Sequence, residues 1–380
     1  MIDKKFILAE ECGNTKRGAL PWSALSPGFS PGLTVALFNE YHGKRTGQAR
    51  GCGAFVILNE PFWRPNLVNP LRISVVQYLN TAPLVRGFTH GPLRGKYALS
   101  FTVPSQCAEE LRSGTADIAI IPAIEYPRIP NLMILPDMAV ASKKTVRSLL
   151  LVSKKGIPEI RTIALDRTSR STQTLVHILC NWRWRIAPEC FEAEANLPLM
   201  LERADAALLI GDPALKLAIA SSPEAKRNAS GEMRIPASQA GVANSGELLV
   251  LDIVEQWRAM TNLPAVLAVW AARNELATPE VVQDFQDSLA FGLRHLDAIV
   301  QESAVTMNLP ASDLRRYFTD NIDYQLDEEN LRGLTWYYSL AARLGRIRRM
   351  DTVAIAATPG RAVRYMDFSA AKPGITLAGG

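Results

Sequence analysis

Residues 72–84 read RISVVQYLNTAPL, and the order of residue types in this stretch indicates the fold. The alternating β-branched residues Ile73 and Val75 predict a strand. The polar residues that follow predict a loop, and the segment from Ala82 to Phe88 predicts a helix. Such a loop places helix amides and the positive end of the helix dipole at the carboxyl edge of a sheet, where anions bind. We therefore expect an anion-binding edge here.

A second stretch repeats this order of residue types about 90 residues later. Residues 161–165 predict a strand, residues 166–172 a polar loop and residues 175–182 an apolar helix. Continuous apolar runs at residues 116–121 and 206–210 predict strands that are buried on both faces. The two repeated units predict two α/β lobes whose binding edges face each other.

The chain is expected to cross twice between these lobes, because the apolar segment 264–272 returns it to the first one. This organisation predicts an α/β, two-lobed fold like that of type II periplasmic binding proteins, with a hinged cleft between the lobes. The turn-rich residues 154–158 are the predicted hinge. The predicted parts are a poorly ordered extension at residues 1–70, the first lobe at 71–157 plus 265–350, the second lobe at 158–264, and a mobile tail at 351–380.

The composition argues against several classes of protein. A hydrophobic fraction of 48% with 21% charged residues is typical of a soluble globular protein. The arginines within residues 343–349 are expected to complement a helix C-terminus, so no nucleic-acid partner is predicted. The five cysteines have no C-x-x-C spacing and predict neither disulfides nor a zinc site. No apolar window reaches about 18 residues, and Glu10 and Glu11 interrupt the first one, which predicts no membrane partner, no export signal and a cytoplasmic location.

Several blocks in a fixed order resemble one family, the chorismate dehydratases of the futalosine route to menaquinone. The blocks cover residues 72 to 350 and are specific as an ordered set. They are ISVVQYLNTAPL at 73–84, GTADIAIIP at 114–122, ILPDMAVAS at 134–142, VRSLLLVS at 146–153, SRST at 169–172, LIGDPA at 209–214, DIVEQW at 252–257 and TNLPAVLAVW at 261–270. One departure is Lys143-Lys144-Thr145, which stands where the family pattern has Gly-Pro.

The resemblance implies a lyase that removes water from chorismate and gives 3-[(1-carboxyvinyl)oxy]benzoate. Chorismate carries two carboxylates, so hydroxyl and amide donors on the predicted loops suit it. No metal or organic cofactor is expected, and the oligomeric state is not predicted. The candidate catalytic residues are Asn80 and Ser148, and the candidate substrate-binding residues are Tyr78, Thr81, Ser142, Thr168, Ser169, Ser171, Thr172 and Asp212.

The ring carboxylate acidifies the proton to be removed and aromatisation drives the elimination, so no strong protein acid or base is required. We expect the enolpyruvyl carboxylate to take the proton while Asn80 and serine hydroxyls orient the ring. None of the four histidines lies on a predicted binding loop: they are His42, His90, His177 and His295.

Structural roles are the alternatives for several of these residues. Asn80, Thr81 and the Ser169–Thr172 segment can be explained as helix caps, and Asp212 is expected to be an N-cap more than a catalytic acid. Asp117 and Glu125 are expected to be structural, because a carboxylate repels a dianion.

Two alternative functions remain open. One is the sister enzyme of the same pathway, 1,4-dihydroxy-6-naphthoate synthase, which is expected to offer a histidine as general base. The other is a solute-binding protein without catalytic activity.

Overall fold

The computed structural model describes residues 70–221, 226–227, 233–242 and 246–367. The extension predicted for residues 1–70 lies outside the described residues, apart from its last position. The described strands form two sheets of seven strands each.

The first sheet carries the strand of the opening sequence stretch at an interior position. Its strands are β1 Arg72–Val76, β2 Ala98–Thr102, β3 Ile118–Pro122, β4 Leu132–Ser142, β12 Ala265–Arg273, β13 Thr352–Ile355 and β14 Arg364–Asp367. Their order is β14-β13-β4-β12-β3-β1-β2. Strand β1 pairs in parallel with β2 and β3, whereas β12 runs antiparallel to β3 and β4. The parallel part leaves the carboxyl ends of β1 and β3 at one edge.

The second sheet consists of strands from the middle of the chain. They are β5 Leu149–Ser153, β6 Thr162–Asp166, β7 Glu189–Ala193, β8 Ala206–Ile210, β9 Lys226–Arg227, β10 Met233–Pro236 and β11 Glu247–Asp252. Their order is β7-β6-β8-β5-β11-β10-β9. Strand β6 pairs in parallel with β7 and β8, so its polar loop follows a carboxyl end, as in the first sheet.

Helices connect the strands of both sheets. They are α1 Ala82–His90, α2 Pro104–Ser113, α3 Arg170–Leu179, α4 Leu197–Arg203, α5 Gly211–Ser221, α6 Ile253–Thr261, α7 Pro279–Arg294, α8 Leu296–Met307, α9 Ala311–Arg316 and α10 Glu328–Arg343. Helix α1 lies very close to α7, since a Cβ atom at Gly292 would be 2.0 Å from the carbonyl oxygen of Pro83. Only glycine allows this approach, which fixes the start of α1 and the loop before it.

The predicted lobe boundary near residue 157 is wrong. Strand β5 pairs with β8 and β11 of the second sheet, so the chain crosses between Ser142 and Leu149. Residues 154–158, the predicted hinge, follow β5 and lie within the second lobe. The continuous apolar run at 149–152 is compatible with either sheet, and its partner strands are distant in sequence.

The predicted mobile tail is also wrong over its first part. Strand β13 joins β4 in parallel at Ile355 and Ile134, and β14 pairs with β13. Val353 and Ile355 are buried, which holds this short strand on the sheet. Residues 368–380 lie outside the described part of the chain.

Candidate functional site

The first loop, residues 77–81, leads from β1 into α1 through a 3₁₀ turn at Leu79–Thr81. The hydroxyl of Thr81 donates to the carbonyl oxygen of Val76 at 2.6 Å. It also lies 2.8 Å from the backbone carbonyl oxygen of Tyr78. Thr81 occupies the N-cap position of α1, but no side-chain hydrogen bond caps the helix. Its buried hydroxyl shapes the loop instead, and its proton is not available to a ligand.

The second loop, residues 167–169, leads from β6 into α3. The backbone N–H and the hydroxyl of Thr168 donate to Asp166 Oδ1 at 2.9 and 2.7 Å. The Thr168 carbonyl accepts from the N–H of Ser105 at 3.0 Å, and its Oγ1 lies 3.2 Å from the Tyr78 hydroxyl. Thr168 therefore joins the second loop to two segments of the first lobe.

Asp212 forms another contact between the lobes. Its Oδ1 accepts from the backbone N–H of Leu79 at 3.0 Å. Gly211 has a φ of +67°, and a Cβ atom there would lie 2.8 Å from the Tyr78 ring, so glycine allows the ring to pack against this turn. The prediction of Asp212 as an N-cap is wrong, because α5 starts at Gly211 and the carboxylate is bound to the opposite lobe.

Ser148 lies at the end of the crossing segment, residues 143–148, and accepts a hydrogen bond from Tyr317. The hydroxyl of Tyr317 donates to Ser148 Oγ at 3.0 Å, and the Ser148 carbonyl accepts from the N–H of Gly211 at 2.8 Å. Burial raises the pKa of Tyr317, although hydrogen bonding with Ser148 and Asn80 acts in the opposite direction. Ser148 is thus hydrogen-bonded to Tyr317, and Asn80 is close enough to the same phenol to affect its pKa.

Sequence reasoning missed Tyr317. It begins a π-helical turn, Tyr317–Asn321, that directly follows α9. Such turns are frequent at functional sites but have no reliable sequence signal. A tyrosine in a helical pattern at this position is equally compatible with a core residue.

The remaining candidates lie in protein contacts of their own. Ser169 Oγ and Thr172 Oγ1 are 3.0 Å apart at the start of α3. Ser171 Oγ accepts from the N–H of Ile124 at 3.1 Å, so this residue connects α3 to the first lobe. Ser142 is fully buried, and its hydroxyl has no hydrogen-bond partner among the described residues. None of these four residues takes part in the hydrogen bonds that join Tyr78 to Thr168, Leu79 to Asp212 and Gly211 to Ser148.

The pKa values of two carboxyl groups and one phenol in this region are raised, which favours their protonated forms. Burial raises the pKa of Asp166 and of Asp212. Burial also raises the pKa of Tyr78 to about 12, and both carboxylates add to the shift. At neutral pH Tyr78 and Tyr317 are therefore neutral hydroxyl groups that can donate or accept hydrogen bonds.

A further contact between the lobes is ionic. Glu125, which is fully buried, pairs with Arg112 and with Arg128 at 2.7 Å in the first lobe. Arg170, the first residue of α3 in the second lobe, lies 3.3 Å from Glu125 and 3.0 Å from Glu109. Glu125 is thus structural, as expected.

The comparison with known proteins assigns the chain to a family. Residues 71–343 match the family model described as menaquinone biosynthesis. The chain belongs to the menaquinone biosynthesis family. A family relative named chorismate dehydratase, from Thermus thermophilus, is 29% identical over 270 residues, which is 70% of this chain and 93% of the relative. This agrees with the resemblance found in the sequence.

Solved structures show the fold of this member of the menaquinone biosynthesis family. A protein from Archaeoglobus fulgidus is similar with a TM-score of 0.56 and 19% identity, covering 73% of this chain and 98% of the other. The alkanesulfonate-binding protein of Xanthomonas axonopodis pv. citri, bound to MOPS, has a TM-score of 0.51 and 14% identity, covering 73% and 94%. The predicted periplasmic-binding-protein-like fold is confirmed.

The histidines of this family member that the structure describes lie in other contacts. His90 contacts Thr89, and His295 contacts Phe291. Burial lowers the pKa of His177, on α3, to about 4, so this imidazole is neutral at physiological pH. His42 lies outside the described residues.

Metal ligation and membrane insertion were also predicted to be absent. Within the described ranges, no three His, Cys, Asp or Glu side chains are grouped as metal ligands. No helix in the same ranges has the length and apolar character needed to cross a membrane.

Proposed function

We propose that this member of the menaquinone biosynthesis family is a chorismate dehydratase. The observation that carries the proposal is the group of Asn80, Ser148 and Tyr317, whose neutral amide and hydroxyl groups lie close to one another where the two lobes meet. The relative named chorismate dehydratase, matched over 93% of its length, supports the substrate. We expect the enzyme to act in the cytoplasm.

The chemistry suits neutral donors. The proton leaves the ring carbon that bears the enolpyruvyl ether, and the hydroxyl leaves the neighbouring carbon. Conjugation with the ring carboxylate makes this proton acidic, and the new aromatic ring provides the driving force. In our proposal the enolpyruvyl carboxylate takes the proton, and proton and hydroxide depart together as water.

The protein then has to orient the ring and stabilise the departing oxygen. Asn80 and Ser148 are the proposed catalytic residues for this task. Ser148 is the donor that stabilises charge as it develops on the departing oxygen, and Asn80 orients the group that leaves. Tyr78 and Thr168 are proposed to bind the substrate from the two lobes, since their hydroxyls already meet there. Ser142, Ser169, Ser171 and Thr172 stay as proposed contacts, while Thr81 shapes its loop.

The proposal is tested by incubating the purified protein with chorismate and following the products by mass spectrometry. We expect a product lighter by one water with the absorbance of a substituted benzoate. Unchanged chorismate after prolonged incubation with folded protein contradicts the proposal. Conversion of cyclised dehypoxanthine futalosine instead would assign the protein to the sister synthase activity.

A further inference from the structure

We propose that Tyr317 is a positioning residue that sets the direction of the Ser148 hydroxyl, so that Ser148 and Asn80 together bind the substrate hydroxyl that leaves. The inference rests on the proposed function and specifies how this site recognises an alcohol. The evidence for it is the set of hydrogen-bond donors and acceptors on Tyr317, Ser148 and Asn80, together with the contacts that fix the segment carrying Ser148.

The direction of the Ser148 hydroxyl follows from its contact with Tyr317. A hydroxyl group has one proton, and that of Tyr317 is donated to Ser148 Oγ. The proton of Ser148 must therefore point away from Tyr317. Ser148 is buried, and no described residue accepts this proton. The Ser148 hydroxyl is thus a donor directed to a partner outside the described side chains.

Asn80 supplies the complementary acceptor. Its Oδ1 is buried and has no hydrogen-bond partner among the described residues. Asn80 is also close enough to Tyr317 to lower the pKa of the phenol. A buried acceptor without a partner destabilises the folded protein and calls for an explanation. A ligand hydroxyl that donates to it gives one.

Ser148, the donor, is hydrogen-bonded to Tyr317, and Asn80, the acceptor, interacts with the same phenol. An alcohol can donate one hydrogen bond and accept another, so this pair is complementary to an alcohol group. A carboxylate, which only accepts, satisfies Ser148 but leaves Asn80 Oδ1 unpaired. In chorismate the matching group is the hydroxyl that is eliminated.

The surrounding protein holds Ser148 firmly. In the crossing segment, Asp252 Oδ2 accepts from the N–H groups of Val146 and Arg147 at 3.0 and 2.6 Å. Asn321, at the end of the π-helical turn, donates to the carbonyl of Thr145 at 3.0 Å. The turn that carries Tyr317 is therefore fastened to the segment that carries Ser148. This arrangement reduces the cost of ordering the hydroxyl when charge develops on the leaving oxygen.

The test is the Tyr317→Phe variant, alone and combined with Ser148→Ala. If Tyr317 acts through Ser148, Y317F lowers kcat about tenfold with KM within about twofold, less than the roughly 100-fold expected for loss of the donor itself. In the S148A background, Y317F should then have no further effect, because residues that act as a unit are not additive.

Tyr126→Phe is the matched control. It also removes a largely buried phenol that donates to backbone carbonyls, those of Leu132 and Ala354. We expect Y126F to lower thermal stability while kcat stays at the level of the wild type. A merely structural role of Tyr317 would make Y317F behave in the same way.

The outcomes separate this inference from the proposed function. An inactive, folded wild-type protein contradicts the proposed function. An active wild type with full kcat in Y317F, or with multiplicative losses in the double variant, overturns the inference alone. If Y317F does not fold, Asn321→Ala replaces it, since this variant releases the turn from Thr145. N321A should lower kcat severalfold only when Ser148 is present, and an unchanged kcat overturns the inference.

Discussion

Two of the regions where the lobes meet have opposite chemistry. Around Asn80, Ser148 and Tyr317 the contact consists of neutral hydroxyl and amide groups. Around Glu125 it consists of arginines from both lobes that surround one buried carboxylate. Neutral groups can turn their protons towards a ligand, whereas a buried ion pair is costly to disturb. The comparison suggests that the neutral contact carries the chemistry and the ionic contact holds the fold.

Replacing Ser148 by alanine should have the largest effect on the neutral contact. S148A removes the donor at the leaving oxygen, and we expect kcat to fall roughly 100-fold. The free energy of unfolding should also fall by about 1–3 kcal/mol, because the buried Tyr317 hydroxyl loses its acceptor. Steady-state kinetics with chorismate and urea denaturation provide the measurements. Ser153→Ala is the control and should keep full activity. Ser153 is a buried serine on β5 whose hydroxyl donates to the carbonyl of Lys155. Equal losses of activity in the two variants would contradict the comparison.

Replacing Glu125 by glutamine should show the reverse pattern. E125Q leaves three arginines without their buried partner, so the free energy of unfolding should fall by roughly 3 kcal/mol. Turnover per folded molecule should stay close to that of the wild type, because Glu125 faces arginines and not the neutral group.

The control for this variant is Asp297→Asn, which breaks the exposed ion pair with Arg315. An exposed pair is worth about 0–1 kcal/mol, so D297N should be nearly neutral. Full stability together with a loss of turnover in E125Q would contradict the structural role assigned to the ionic contact.

The smallest expected effect is a pH dependence of stability and of KM that arises from Asp212. Burial raises its pKa above the ordinary value of 3.8, so the folded state binds more protons than the unfolded state between that value and the raised one. Stability contributed by this group is therefore lost as pH rises through the window. A bound dianion favours the protonated form further, so KM for chorismate should increase with pH there.

Asp212→Asn should remove this increase in KM, while its amide oxygen can still accept from Leu79. We expect KM of D212N to be a few-fold lower than that of the wild type at the alkaline end of the profile. Asp205→Asn is the control, because the pKa of Asp205 is lowered and its carboxylate binds Lys155. A KM profile of D212N that still rises with pH would contradict this role.

The sequence was sufficient for the repeated strand–loop–helix units, because the period of two in Ile73 and Val75 and the apolar runs are local signals. It also pointed to Asn80, Ser148, Thr168 and Asp212, which the structure brings to the meeting of the lobes. Their roles towards substrate stay predictions.

Features that depend on contacts between segments far apart in the sequence were not predictable in this way. The apolar run at 149–152 does not specify its sheet, and only pairing with β8 and β11 decides it. Strand β13 has four residues, too few to show a period. Tyr317 lies 169 residues after Ser148, and its role depends on a π-helical turn. The missed features are those that tertiary contacts create.

The most direct test of the central claim is the pH dependence of kcat for chorismate dehydration by the wild-type protein. If neutral donors and the carboxylate of the substrate perform the elimination, kcat should be flat from about pH 6 to about pH 8 while 3-[(1-carboxyvinyl)oxy]benzoate accumulates. A profile in which kcat changes with a steep limb near the ordinary histidine pKa, or folded protein that leaves chorismate intact, would contradict the account.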